Sequence, residues 1–176
     1  MQQLHGVLIV LLLAAGCSDR PRAPALRNEP VYDNLSAGLR FLTPEGWTQQ
    51  AKANLPPGPA ESERLLVRYS GPPGPTPPSF EVVFQDLPES TDMVGHLSVP
   101  SHSLPGPWKA EGKPEPLTVN GVAASRYLFT QMGMTKECVA VRRGGRVYFF
   151  TAVYSSADSK SRDQIRTVVE GVTWTK

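Results

Sequence analysis

Glu137-Cys138-Val139-Ala140-Val141-Arg142-Arg143-Gly144-Gly145-Arg146-Val147-Tyr148-Phe149-Phe150-Thr151-Ala152-Val153-Tyr154 reads as two strands joined across a two-glycine turn. Paired glycines supply the left-handed backbone that a tight hairpin needs. Side chains alternate across a strand, so Val139 and Val141 point one way and Cys138 and Ala140 the other. Phe149 and Val153 likewise oppose Tyr148, Phe150 and Ala152. A strand pair that is apolar on both faces requires a covering layer on each.

Upstream, Asn120-Gly121 is a type I′ hairpin signal between Leu117-Thr118-Val119 and a strand over Val122–Thr130. Downstream, Ser156 or Asp158 can cap a closing helix whose Ile165, Val168, Val169 and Val172 follow helical spacing, before Trp174. Leu39-Arg40-Phe41-Leu42 reads as a strand. Thr43-Pro44-Glu45-Gly46 then reads as a type I turn, and Trp47 as a buried aromatic. Leu65–Tyr69 and Phe80–Gln85 suit two more strands, joined by the rigid proline-rich loop 71–78. A short helix fits Ser90–Val99, with Ser90 or Thr91 as cap and Pro100 as terminator. Residues 101–116 read as a proline-broken excursion around Trp108, of a length that often marks a lid or binding loop.

The chain has 176 residues, with 18 prolines and 15 glycines, a composition that suits short elements and stiff connections. Its 18 basic residues nearly balance 16 acidic ones, for a net charge of +2, which argues against a nucleic-acid partner. The residues present specify no cofactor. Gly144-Gly145 lacks the lysine and following helix of a phosphate loop. His96 and His102 are read as polar surface residues rather than metal ligands, since Asp92 and His96 alone do not complete a site. Ser101 and Ser103 flank His102 without the nucleophile elbow of a hydrolase. Cys138 is read as a small buried apolar residue rather than a reactive thiol. Arg142, Arg143 and Arg146 surround the hairpin turn and, with Trp108, are the candidates for recognition of a partner, although a solvated turn is the simpler reading of the arginines.

The order of an early strand with its Gly46-Trp47 turn, a meander of strands, a long C-terminal pair and a closing helix ending in Val172-Thr173-Trp174 resembles the PsbP-like fold. The Gly-Val-Ala-Ala-Ser-Arg stretch at 121–126 fits the same architecture. The resemblance implies an α/β (α+β) domain over residues 39–176, an antiparallel β-sheet sandwiched by helices. DcrB-type envelope lipoproteins belong to that superfamily, which consists mostly of binding and assembly factors. It therefore implies a protein that is not an enzyme.

Leu13-Ala14-Ala15-Gly16-Cys17 follows an uncharged apolar run that is too short to span a bilayer. It resembles the lipobox of bacterial lipoproteins. By that resemblance residues 1–16 are a signal peptide and Cys17 is the lipidated N-terminus. Residues 17–38 then form a flexible tether, rich in Pro21, Pro24 and Pro30. Ser18 in place of an aspartate resembles the proteobacterial signal for the outer membrane, facing the periplasm. The expected function is a non-enzymatic protein-binding or assembly module of the cell envelope, held to the membrane by its lipid and meeting an envelope protein partner. A small-ligand or lipid carrier is the alternative, and a cryptic hydrolase the more distant one.

Two or three acyl chains make detachment slow. Replacing Cys17→Ser is therefore expected to move the protein from the membrane to the soluble fraction while its unfolding midpoint stays unchanged. A variant that remains with the membranes after fractionation defeats the lipid-anchor reading.

Overall fold

The computed structural model describes residues 31–53, 60–99 and 107–175. The leader, Cys17, Ser101, His102 and Ser103 lie outside the described residues. Seven strands form one antiparallel sheet in the order β3-β4-β5-β9-β8-β7-β6. They are β3 (Thr48–Lys52), β4 (Arg64–Ser70), β5 (Ser79–Gln85), β6 (Lys109–Val119), β7 (Val122–Gln131), β8 (Met134–Arg143) and β9 (Arg146–Ser155). The hairpin that decides the fold is central: β8 pairs with β9 from Met134↔Ser155 to Arg143↔Arg146. Gly144 and Gly145 turn it with φ of +59° and +80°.

Both faces of that hairpin are covered, as its alternation requires. Val139, Val141, Tyr148, Phe150 and Ala152 join the larger core, while Cys138, Ala140, Val147, Phe149 and Val153 join a second one on the opposite face. The larger core lies beneath α2 (Ser159–Glu170), which buries Ile165, Val168 and Val169. Asp158 caps this helix by accepting a hydrogen bond from the Ser161 amide. A second, three-stranded sheet, ordered β1-β2-β10, shares the same face: β1 (Val31–Asn34), β2 (Leu39–Leu42) and β10 (Thr173–Trp174). The second core is covered by α1 (Met93–Ser98) and Trp108.

Among the described residues the structure is thus mostly antiparallel β, with one helix on each face, which is less helix than the expected sandwich implies. Part of the covering layer on the α2 face is sheet, because Tyr32, Leu39 and Phe41 alternate inward with period two and are at most 2% exposed. The same fact shortens the expected tether. Its last residues belong to the fold, where Asn34 donates to the Tyr32 hydroxyl and accepts from the Ala37 amide.

The excursion is also corrected. Residues 109–116 lie in β6, paired to β7 from Lys109↔Thr130 to Val119↔Val122, with a register shift between Glu111 and Glu115. An edge strand tolerates Pro114 and Pro116 because one side of its backbone needs no ladder partner. Two smaller differences follow from local chemistry. The turn before Trp47 sits one residue later than expected, closed by the Trp47 amide on Pro44, with Gly46 at φ +78° in the third position, as in a type II turn. Asp92, rather than Ser90 or Thr91, caps α1 by accepting from the Val94 and Gly95 amides.

Trp47 is half-buried, with its indole N–H donated to Gln164 on α2, whereas Phe149 is 1% exposed. Phe149→Ala should accordingly cost about 3–5 kcal/mol by cavity formation, and Trp47→Ala only about 1–2 kcal/mol. Urea denaturation midpoints that rank the two in the other order overturn this assignment of the cores.

Candidate functional site

Among the described residues the second core is roofed incompletely. Between α1 and strands β4, β5, β8 and β9 a half-open cleft of about 570 Å³ remains. Its apolar floor is Leu65, Val83 and Phe149, and Leu97 closes one side. Strand alternation builds the rest: Glu81, Val83 and Gln85 share one face of β5, so polar and apolar groups alternate along the floor. Glu61, Ser62 and Glu63 form an exposed rim.

Most of the charge in the cleft is already matched. Arg68 donates from Nε and Nη2 to Glu81 at 2.9 and 2.7 Å. Lys136 is 4% exposed, and its ammonium donates to the Leu97 carbonyl at 2.7 Å, near the C-terminal end of α1. The rings of Trp108 and Phe129 lie 5.8 and 5.5 Å from that ammonium, within cation–π range. Burial pushes the Lys136 amine below its ordinary pKa, partly offset by Cys138, Glu63 and Glu81. Cys138 is fully buried and burial pushes its thiol up to about 12, so it is protonated and inert, as read from the sequence.

Two residues that line the cleft, Gln85 and His96, each carry a buried polar atom without a hydrogen-bond partner. Gln85 donates its amide N–H to the Glu61 carbonyl at 2.8 Å, which fixes the orientation of the amide, and its carbonyl oxygen is buried without a hydrogen-bond partner. The His96 ring stacks on Phe149 with centroids 5.7 Å apart. Its Nε2 is buried without a hydrogen bond and lies 3.8 Å from Glu63 Oε1. No group of three or more potential metal ligands occurs among the described residues.

The recognition candidates read from the sequence are elsewhere and engaged by the fold. Arg142 donates to the carbonyls of Leu87 and Pro88, tying the hairpin end to the segment before α1. Arg143 donates to the Thr175 carbonyl and lies over the Trp174 ring. Arg146 pairs with Asp86 at 3.0 Å and covers Phe84. Trp108 is 5% exposed and packs in the second core, which corrects its expected place in an open loop. The arginines therefore fasten the hairpin rather than crown a solvated tip. Gln85, Glu63 and Lys136 were not singled out from the sequence. Lys136 alone left a trace there, as a charge on the face of β8 that also carries Cys138 and Ala140.

No family model matches the chain, and no curated protein resembles it in sequence. In structure it is similar to the solution structure of cyanobacterial PsbP (CyanoP) from Synechocystis sp. PCC 6803, with a TM-score of 0.57 and 11% identity over 86% of this chain and 96% of that one. A crystal structure from Bacteroides thetaiotaomicron VPI-5482 matches with a TM-score of 0.50 and 9% identity, over 84% of this chain and 48% of that one. The fold is PsbP-like. Likeness at these identities concerns the backbone alone.

Because the Lys136 amine titrates below its ordinary 10.5 in the folded chain, the unfolded chain binds more protons between the lowered value and 10.5. Stability from this group therefore rises as pH rises through that window. Relative to Lys136→Met, the wild-type protein should gain stability between neutral pH and about pH 10 in paired urea melts. A difference that stays constant, or moves against wild type, contradicts the buried environment assigned to the amine.

Proposed function

We propose that this protein is a lipid-anchored component of the bacterial cell envelope, directed to the outer membrane and facing the periplasm, and that it acts as a non-enzymatic binding or assembly module. Its recognition surface in this reading is the cleft beneath α1 rather than the hairpin turn. The carrying observation is the state of the charged groups in the cleft. Arg68 is held by Glu81 and Lys136 by a backbone carbonyl, an arrangement suited to a fixed surface more than to moving protons. The lipobox-like stretch ending at Cys17 supports the anchor. A second reading, a small-ligand carrier, is favoured by the volume and apolar floor of the cleft, which lie in the range of small-molecule sites.

A photo-crosslinking residue at Val99, 60% exposed on the rim, tests the location of recognition in intact cells. Discrete adducts are expected from Val99 and not from a control at the exposed Glu170 on α2. Equal capture from both positions, or capture from Glu170 alone, removes the cleft from this role.

A further inference from the structure

His96 and Glu63 face each other from opposite sides of the cleft. His96 lies in the last turn of α1, its ring stacked on Phe149 and its main-chain amide donated to the Asp92 carbonyl. Glu63 stands just before β4, on a segment fastened to the end of β5. Ala60 and Asp86 exchange two hydrogen bonds there, and Gln85 donates to the Glu61 carbonyl. α1 is held separately, by Lys136 on the Leu97 carbonyl and, through the segment before it, by Arg142 on the carbonyls of Leu87 and Pro88. Neither fastening reaches Glu63. From His96 Nε2 to Glu63 Oε1 the gap is 3.8 Å, close enough for an ion pair with an imidazolium and too long for a hydrogen bond. Nε2 is shut off from water and has no hydrogen-bond partner.

We propose that His96 and Glu63 form a pH-sensitive clasp, which draws the two sides of the cleft together when the imidazole is protonated. The clasp goes beyond the reading of the cleft as a recognition surface and does not depend on it. An imidazole changes its charge between about pH 5 and pH 8. The imidazolium presents an N–H and a positive charge to Glu63, and narrowing the gap to about 2.8 Å makes a charge-assisted hydrogen bond. A cation held there without that bond carries a large desolvation cost, so protonation and closure are linked. Among the described residues the other charged groups around the ring have their own contacts. Arg68 on β4 and Glu81 on β5 pair with each other, and Lys136 on β8 holds the Leu97 carbonyl. Asp92 accepts from the Val94 and Gly95 amides, and Glu61 adds a second carboxylate to the rim beside Glu63. Lys136 opposes a positive ring, and Glu63 is the carboxylate within ion-pair distance that offsets it. The clasp is therefore shut at low pH and released as pH rises and the ring loses its proton.

The test is a double-mutant cycle on the full chain carrying Cys17→Ser, in which His96→Gln, Glu63→Gln and the double variant are melted in urea at about pH 5.5 and pH 8. A favourable coupling between the two positions is expected at the lower pH and none at the higher. Hydrogen exchange reads the closure itself. At the amides of His96 and Leu97, after correction for the intrinsic rate, exchange should slow about tenfold from the higher pH to the lower, the value of one charge-assisted contact. Glu63→Gln, an exposed change, should abolish that slowing, and Glu170→Gln should leave it intact. Coupling of equal size at both pH values, or none at the lower, overturns the clasp, as does slowing that survives Glu63→Gln. Should His96→Gln fail to fold, the exchange measurement on Glu63→Gln decides alone. None of these results touches the reading of the cleft as a recognition surface, which stands or falls on the crosslinks from Val99.

Discussion

The β8–β9 hairpin is apolar on both of its faces, and everything else in the domain is arranged to keep water from it. Burying only one face would leave either Phe149 and Val153 or Tyr148, Phe150 and Ala152 in solvent, at about 1.5–3 kcal/mol for each large side chain. The α2 face is closed by a twelve-residue helix and a three-stranded sheet, and the closure is tight. Trp174 lies edge-on to Tyr148 and Phe150 and donates its indole N–H to the Val119 carbonyl. Among the described residues the opposite face is covered by the six residues of α1 and by Trp108, and the cleft lies beside that short roof.

Charge buried beside these cores is handled by saturation. Glu137, 3% exposed on β8, accepts from Arg166 on α2 and from the Tyr154 hydroxyl at 2.7 Å. Arg126 Nε lies 3.0 Å from the same carboxylate but is misaligned for a hydrogen bond, so that contact is an ion pair only. Such a cluster contributes less to net stability than to placement, since desolvation offsets much of the attraction. Here it fixes where α2 lands on the sheet. Lys136 does the equivalent on the other face by gripping the carbonyl of Leu97.

What could be read from the sequence tracks how local the physics is. The hairpin turns at Asn120-Gly121 and Gly144-Gly145 and the partition of β8 and β9 side chains between two faces follow from neighbours in the chain and are found, as is a cap for the closing helix, at Asp158 of the two positions, Ser156 and Asp158, that the sequence offered. β1 was missed because four residues with one apolar inward side chain give almost no periodicity. Tyr32 and Asn34 are drawn inward by β2 and by the Ala37 turn. Lys109–Pro116 looked like a loop because prolines usually end strands, and only its edge position lets them stay. The cleft was illegible for a different reason. Gln85, His96 and Lys136 come from three separate elements, and it is the absence of a partner in space that distinguishes two of them. The arginines around the turn looked free because their acceptors, at Leu87, Asp86 and Thr175, are distant in sequence.

The pairing of β1 with β2 has a mechanical consequence. The chain enters the described fold at Val31, the open end of the β1–β2 hairpin, where Val31 faces Leu42 and successive pairs run inward to Asn34↔Leu39. Tension along the preceding segment loads those pairs one after another, in the manner of a zipper, rather than all together in shear. The first to part is the surface pair Val31 and Leu42, 39% and 52% exposed, and the next is Tyr32 and Phe41, stacked 4.8 Å apart in the core. Two contacts tie this hairpin to the edge of the seven-stranded sheet: Asn34 donates to the Ala53 carbonyl next to β3, and the Lys52 ammonium lies over the Tyr32 ring. A pull from the N-terminal side therefore loads β1 and its contacts with the edge of the large sheet before it reaches the central hairpin or the cleft on the far face.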